Sequence, residues 1–202
     1  MTPNFQQYKQ SFNNWKNYQL KLLGSIDVNF KNQDPGFDWI ETYSIGEIPQ
    51  GDNWNTTATE FKLWQEEKYQ EWGHIKEATQ HYMSFEPELP FDIDIALAVI
   101  GCKTQFQYNF LKLPAGRMIP WHCDTYAYFI KKYNVPQESI PRIKRAVICV
   151  NDWDVGQSLQ AGKTILSEWS AGNMYTWDHE AWHGAANFGT QDLIFMQITY
   201  YE

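Results

Sequence analysis

Beyond Pro87 and Pro90 the chain changes period. Apolar residues recur at every second position in short runs, and Gly or Pro breaks most of the gaps. Side chains on an extended strand alternate between two faces, so such runs read as half-buried strands. The spacing predicts strands over 93–99, 105–113, 118–124, 144–150, 163–166, 173–177, 182–186 and 193–200, with Pro114-Ala-Gly116 as a turn and a short helix over 126–133. Many short strands in about 110 residues point to an antiparallel sandwich or barrel.

The first 90 residues read differently. Phe5, Tyr8, Phe12, Trp15 and Leu22 recur at three to four positions, which predicts an amphipathic helix over 4–23 ending near Gly24. Residues 24–56 are polar and rich in Pro and Gly, and are expected to be irregular with one or two strands. Thr57, with Glu60 three positions on, has the form of a capping box opening a second helix to about Met83. His74 and His81 fall on that helix as surface or packing residues. The whole is expected to be one domain: a helical buttress over 1–90 and a β core over 91–202.

Composition narrows the function classes. A formal net charge of −8 argues against a nucleic-acid partner, which needs clustered Lys and Arg. No apolar run is long enough to span a membrane, and residues 1–7 show no basic or apolar leader. Cys102, Cys123 and Cys149 are odd in number and lack CxxC spacing, which fits reduced thiols and a cytoplasmic location. Cys123 reads as a small buried residue, facing away from its neighbours His122 and Asp124.

Those neighbours carry the chemistry. Two apart on a strand, His122 and Asp124 leave by one face and make half of a metal site. A second histidine from a later strand completes the two-His-one-carboxylate set that holds non-haem Fe(II). His183, 61 residues on, is the candidate. His179 competes, and an i, i+4 His pair on a helix would suggest zinc. Gly172, Gly184 and the preceding strand argue against a helix there, which favours His183. Asp178 is placed to orient an imidazole or cap the turn. Trp121, Tyr126, Tyr128, Trp177 and Trp182 crowd the motif as pocket or core, and 125–140 reads as an insertion able to act as a lid.

Leu113-Pro-Ala-Gly through His122-x-Asp124, then Trp169-x-x-Gly172, Asp178 and His183, resemble the core of the 2-oxoglutarate- and Fe(II)-dependent oxygenases. Within them the likeness is greatest to the aspartyl/asparaginyl β-hydroxylase branch. It covers roughly 105–200, about half the chain. The resemblance implies a mainly β fold with N-terminal helices, its core a double-stranded β-helix (a cupin-like jelly roll). It implies His122, Asp124 and His183 as ligands of Fe(II), 2-oxoglutarate as co-substrate and molecular oxygen as reactant. The presence of Asp124 implies hydroxylation rather than halogenation. The substrate would be a small molecule, or a peptide or amino-acid side chain.

A 2-oxoglutarate carboxylate needs a cation, preferably an Arg. Many relatives place it nine or ten positions after the distal histidine, where this chain has Asp192 and Leu193. The β-hydroxylase-like branch also uses an arginine on an intervening strand, and Arg145, 27 residues before Gly172, matches that spacing. Arg145 is therefore the expected carboxylate binder, with Arg117 or Arg142 as substitutes and Lys103 and Lys163 as outsiders. Two alternatives stay open, the first from the missing late cation and the second from the ten tryptophans. One is a cupin-like metal enzyme that does not use 2-oxoglutarate. The other is a non-enzymatic β-sandwich binding module.

Overall fold

A computed structural model describes residues 5–28, 35–46, 56–102 and 104–201. Its elements run α1 (Phe5–Asn13), β1 (Lys21–Ser25), β2 (Ile40–Tyr43), α2 (Thr56–Glu71), β3 (Gln80–Phe85), α3 (Ile93–Ile100), β4 (Phe106–Leu113) and β5 (Arg117–His122). They continue α4 (Ala127–Tyr133), β6 (Ile143–Cys149), β7 (Gln157–Ala161), β8 (Thr164–Leu166), β9 (Asn173–Trp177), β10 (His183–Asn187) and β11 (Leu193–Tyr201).

Every strand pairing is antiparallel. One sheet has the order β1-β9-β6-β11-β4-β3-β2 and the other β5-β10-β7-β8. From β4 onward the chain alternates between the sheets, except for the β7–β8 hairpin. This order of eight strands in two facing four-stranded halves is a double-stranded β-helix, the jelly roll that the sequence resemblance implies.

The two faces of the larger sheet have separate tasks. Phe110, Ala146, Ile148, Met174, Met196 and Ile198 point outward and pack against α3. Leu111, Leu113, Val147, Cys149, Leu193 and Phe195 point inward and meet Leu159 and Ala161 of the smaller sheet. Strand parity and register together order this interior in rows. Trp177, Arg145, Thr199 and Gln107 are cross-strand partners in one row. Two residues along each strand lie Tyr175, Val147, Gln197 and Asn109. Beyond them the inward face of the larger sheet carries Cys149, Phe195, Leu111, Leu193 and Leu113, and the smaller sheet buries Gln157 and Asn187, whose amides donate to backbone carbonyls. Charged and unpartnered polar groups therefore occupy one end, the polar end of the barrel, and a mainly apolar plug closes the other.

Three sequence expectations are corrected. Residues 93–99 form helix α3, not a strand. Asp92 Oδ1 accepts the Asp94 N–H at 3.0 Å, and Gly101 ends the helix at φ 71°. Ala96, Leu97 and Ile100 are buried while Ile95 and Val99 are exposed, so caps and a helical face outweigh four β-branched residues. The expected 57–83 helix stops at Glu71, where Gly73 takes φ 76°, and β3 follows; His81 is a buried strand residue. The expected 4–23 helix stops at Asn13, and 21–25 pair with β9. The N-terminal part thus contributes strands β1, β2 and β3 to the larger sheet as well as helices. α2 begins at Thr56, and the capping side chain expected of Thr57 lies outside the described residues, as does Lys103. Strand β7 adds to the expected set. Among the described residues no helix is long and apolar enough to cross a membrane.

Candidate metal centre

His122 ends β5 and His183 opens β10, and the two are register partners. The register slips between them and the Ile119–Ala185 pair, so Pro120 and Trp121 together oppose Gly184. That is a β-bulge. It changes the phase of the strand: Ile119 and His122 both face the barrel, and Trp121 faces out against Trp15, ring centroids 5.8 Å apart. Pro120 is tolerated because β5 is a sheet edge and the bulge needs no N–H there. A Cβ on Gly184 would lie 2.9 Å from the Ile119 carbonyl oxygen, so glycine permits this close approach.

Asp124 sits just past the end of β5, not on the strand as its spacing suggests. Even so, ligand atoms of His122, Asp124 and His183 lie within 4.8 Å of one another, the one such cluster able to hold a metal among the described residues. Nδ1 of His122 is 2.8 Å from the Pro120 carbonyl oxygen, and Nδ1 of His183 is 2.9 Å from that of Ala181. A carbonyl only accepts, so both Nδ1 atoms carry the proton and both Nε2 atoms are left with a lone pair. Those Nε2 atoms lie 3.8 Å and 3.6 Å from the Asp124 carboxylate, beyond hydrogen-bond reach. Two lone pairs and a carboxylate thus converge with no proton between them. Backbone carbonyls fixing the ring tautomer are the usual support of a histidine metal ligand.

Electrostatics keeps the set in its ligating form. Burial, reinforced by the facing His183, pushes the His122 imidazole down to about 3. Burial likewise lowers that of His183. Burial alone would raise the Asp124 carboxyl, but Arg145 together with the His183 and His122 rings outweighs it and holds the group well below the usual carboxylate range. Burial keeps the Cys123 thiol protonated, and its Sγ lies near the carbonyl oxygens of Asp124 and His179, away from the cluster.

Arg145 enters from β6. Its Nη2 and Nε donate to Asp124 Oδ2 at 2.8 Å and 3.2 Å, and Nη1 to Gln197 Oε1 at 3.4 Å. The guanidinium also lies 5.4 Å from the ring centre of Tyr126, whose backbone takes the strained φ of 52° for a non-glycine. The other arginines are elsewhere. Arg117 opens β5, about 16 Å along the strand from His122 at 3.3 Å per residue, and donates to Gln80 Oε1. Arg142 lies over Tyr201 at the surface. Lys163 is exposed in the β7–β8 turn. Asp178 does not orient an imidazole: its exposed carboxylate lies 3.9 Å from Lys21. His179 is buried in the turn before β10, against Tyr126, and stands apart from the ligand cluster.

Tryptophans divide by strand parity. Trp182 precedes His183 and points outward into a cluster with Phe61 and Cys123, joined by Phe12, Trp15, Trp64 and Trp121. Trp177 points inward, its ring 4.6 Å from His183. Its buried Nε1 has no hydrogen-bond partner among the described residues, and neither do the buried Gln107 Oε1 and Thr199 Oγ1 of the same row. The cavity at this end of the barrel measures ≈ 1150 Å³. Its walls include Tyr126 and Tyr128, and also Lys62, Gln107, Asn109 and Gln197, which sequence reasoning missed. The available signal was a polar residue set singly between apolar neighbours, as Asn109 is between Tyr108 and Phe110.

No protein-family model matches the sequence, and no curated protein matches it. Solved structures give distant similarities. A predicted oxalate decarboxylase from Thermotoga maritima is 14% identical, covering 61% of this chain and 82% of its own at a TM-score of 0.37. KdgF from Halomonas sp. is 10% identical, with coverages of 64% and 84% and a TM-score of 0.37. A cupin domain from Bordetella pertussis is 13% identical, with coverages of 59% and 95% and a TM-score of 0.35. Scores this low fix neither activity nor ligand, and the fold stands on the strand order itself.

Proposed function

We propose that this chain is an Fe(II)- and 2-oxoglutarate-dependent dioxygenase that hydroxylates a small molecule, or a peptide or amino-acid side chain. The observation that carries the reading is the convergence of two Nε2 lone pairs and one carboxylate at the polar end of a jelly roll. Three ligands on one side leave positions open, as the facial set for non-haem Fe(II) requires. Bound there, Fe(II) supplies coordination of 2-oxoglutarate and oxygen and couples loss of carbon dioxide to oxidation of a substrate C–H bond.

The chain's own residues bind and orient. Arg145 is the buried cation nearest the triad, and Trp177 Nε1–H lies in the same cross-strand row. Both are donors for the far carboxylate of the co-substrate, with the Thr199 hydroxyl as a third. Tyr126, Tyr128 and the amides of Gln107, Asn109 and Gln197 are left to contact the substrate. The test is anaerobic loading with Fe(II), then 2-oxoglutarate and oxygen. Succinate formation is expected. Absence of both iron binding and 2-oxoglutarate turnover across substrate panels would remove the reading.

A second reading, a cupin-like metal enzyme without 2-oxoglutarate, is favoured by one observation. The only arginine at the site already spends two of its donors on Asp124. Adding 2-oxoglutarate anaerobically to the Fe(II) protein separates the two. A new visible absorption band supports the first reading, and bound iron with no band supports the second.

A further inference from the structure

We propose that Gln65 is a positioning residue for Asp124, so that helix α2 sets the affinity and symmetry of the metal site. The inference rests on the reading of His122, Asp124 and His183 as a metal centre.

β5 ends at His122, so the carbonyl of Cys123 has left the ladder of backbone pairs. This carbonyl belongs to the peptide unit joining Cys123 to Asp124. Gln65 Nε2 donates to it at 3.0 Å. The Gln65 Oε1 in turn accepts the Tyr69 hydroxyl at 3.2 Å. Both bonds are buried: Gln65 is 4% exposed and Tyr69 1%. Phe61, Gln65 and Tyr69 stand at i, i+4 and i+8, one ridge of α2. Phe61 packs on Cys123 and Trp182, each the neighbour of a candidate ligand.

An amide in an otherwise aromatic buried ridge costs free energy unless both its ends are bonded. Here both ends are bonded, and the donor end meets a carbonyl that the sheet cannot satisfy. An apolar side chain of the same size would fill the space and leave that carbonyl unpaired. Rotation of the 123–124 peptide would swing Asp124 away from the two imidazoles, and Gln65 opposes that rotation. Phe61, Gln65 and Tyr69 also line the cavity, so the helix that braces the ligand forms a wall of the site.

The test is a Co(II) titration of the whole protein, followed by the visible d–d bands and paired with melting of the metal-free form. Gln65→Met keeps the volume and removes both bonds. Co(II) binding should weaken by about tenfold or more, the usual effect of losing a partner behind a ligand, and the d–d envelope should change. Tyr69→Phe frees only the far end of the amide and should weaken binding less. Trp64→Leu loosens the same helix without touching the bond; it should lower the melting temperature and keep the Co(II) spectrum. A folded Gln65→Met protein with wild-type affinity and spectrum would overturn the inference, even if it melts earlier. So would an equal spectral change in Trp64→Leu. If Gln65→Met does not fold, Tyr69→Phe decides, and wild-type binding there overturns the inference. If the unmutated protein takes up no Co(II), the metal centre itself is refuted and this inference with it.

Discussion

His122 and His183 face each other across the β5–β10 pair with ring centroids 4.2 Å apart, each anchored by Nδ1 to a carbonyl two residues before it. Identical local geometry on two antiparallel strands aims both Nε2 atoms at one point. Burial makes either ring costly to protonate, and charging one raises the cost for the other.

A pH dependence of the metal-free fold follows. The folded His122 titrates near 3 and His183 is lowered as well, against about 6.5 in an unfolded chain. Between these limits the unfolded state binds more protons, so stability rises with pH and falls on acidification. The contribution is complete above pH 6.5. His122 should cost up to about 2 kcal/mol between pH 6.5 and 5, reduced because its side chain is 22% exposed, and the lowered His183 adds to the loss in the same direction. Asp124 contributes only lower, below its unfolded value near 3.8. Urea midpoints of the chelator-treated protein at pH 7 and pH 5 check this: a drop is expected, and His183→Gln should flatten it. Equal midpoints would contradict the assigned burial.

Removing Asp124 tests the Arg145 pair. Both groups are largely buried, with side-chain exposures of 11% for Arg145 and 22% for Asp124. Asp124→Ala strands the guanidinium, and loss of one partner of a buried pair costs about 3–5 kcal/mol. Arg145→Met added to Asp124→Ala should recover much of that loss. Denaturation of the two singles and the double gives the coupling; additive effects would show that the pair is not formed.

Much of this site was legible because its chemistry lies in short strings. His122-x-Asp124 and His183 needed only spacing, and β4, β6, β9 and β11 needed only alternation bounded by Gly or Pro. What escaped depends on register or on caps. Period-two spacing alone reads Ile93, Ile95, Leu97 and Val99 as a strand, yet Asp92 and Gly101 supply both ends of a helix. Nothing in the spacing tells that Pro120 and Trp121 bulge, which is what turns His122 inward after Ile119. Gln107 and Thr199 become neighbours of Arg145 only once the sheet register is known. Gln65 lies outside the resemblance altogether, on a helix whose contact with Cys123 is purely tertiary.

Trp177→Phe isolates the indole N–H. Phenylalanine keeps a ring beside His183 and removes the buried unpartnered donor. Metal affinity should stay within about twofold, since no ligand or its carbonyl anchor is touched, and removing an unsatisfied buried donor costs little stability. If the donor serves the co-substrate, its loss should weaken 2-oxoglutarate binding to the Fe(II) protein by about tenfold, one charge-assisted hydrogen bond. Anaerobic absorbance titration measures it, and an unchanged dissociation constant would remove Trp177 from the co-substrate site.

Two glycines separate backbone strain from steric contact. Gly101 and Gly172 both have left-handed backbones, with φ of 71° and 85°. A Cβ on Gly101 meets nothing within 4 Å, whereas one on Gly172 would fall 1.8 Å from the Ile26 carbonyl oxygen. That carbonyl belongs to the segment just after β1, whose Ile26 N–H donates to the Gly172 carbonyl at 3.0 Å. Gly101→Ala should therefore cost only the roughly 1–3 kcal/mol of a non-glycine held in this region. Gly172→Ala must also push residues 25–26 off the sheet, exposing Ile26 and Val28, which are buried against α3 and the outer face. Its loss should exceed that of Gly101→Ala by at least about 2 kcal/mol, the cost of uncovering one large apolar side chain. Equal urea midpoints for the two variants would mean that the β1 segment does not hold this position in solution.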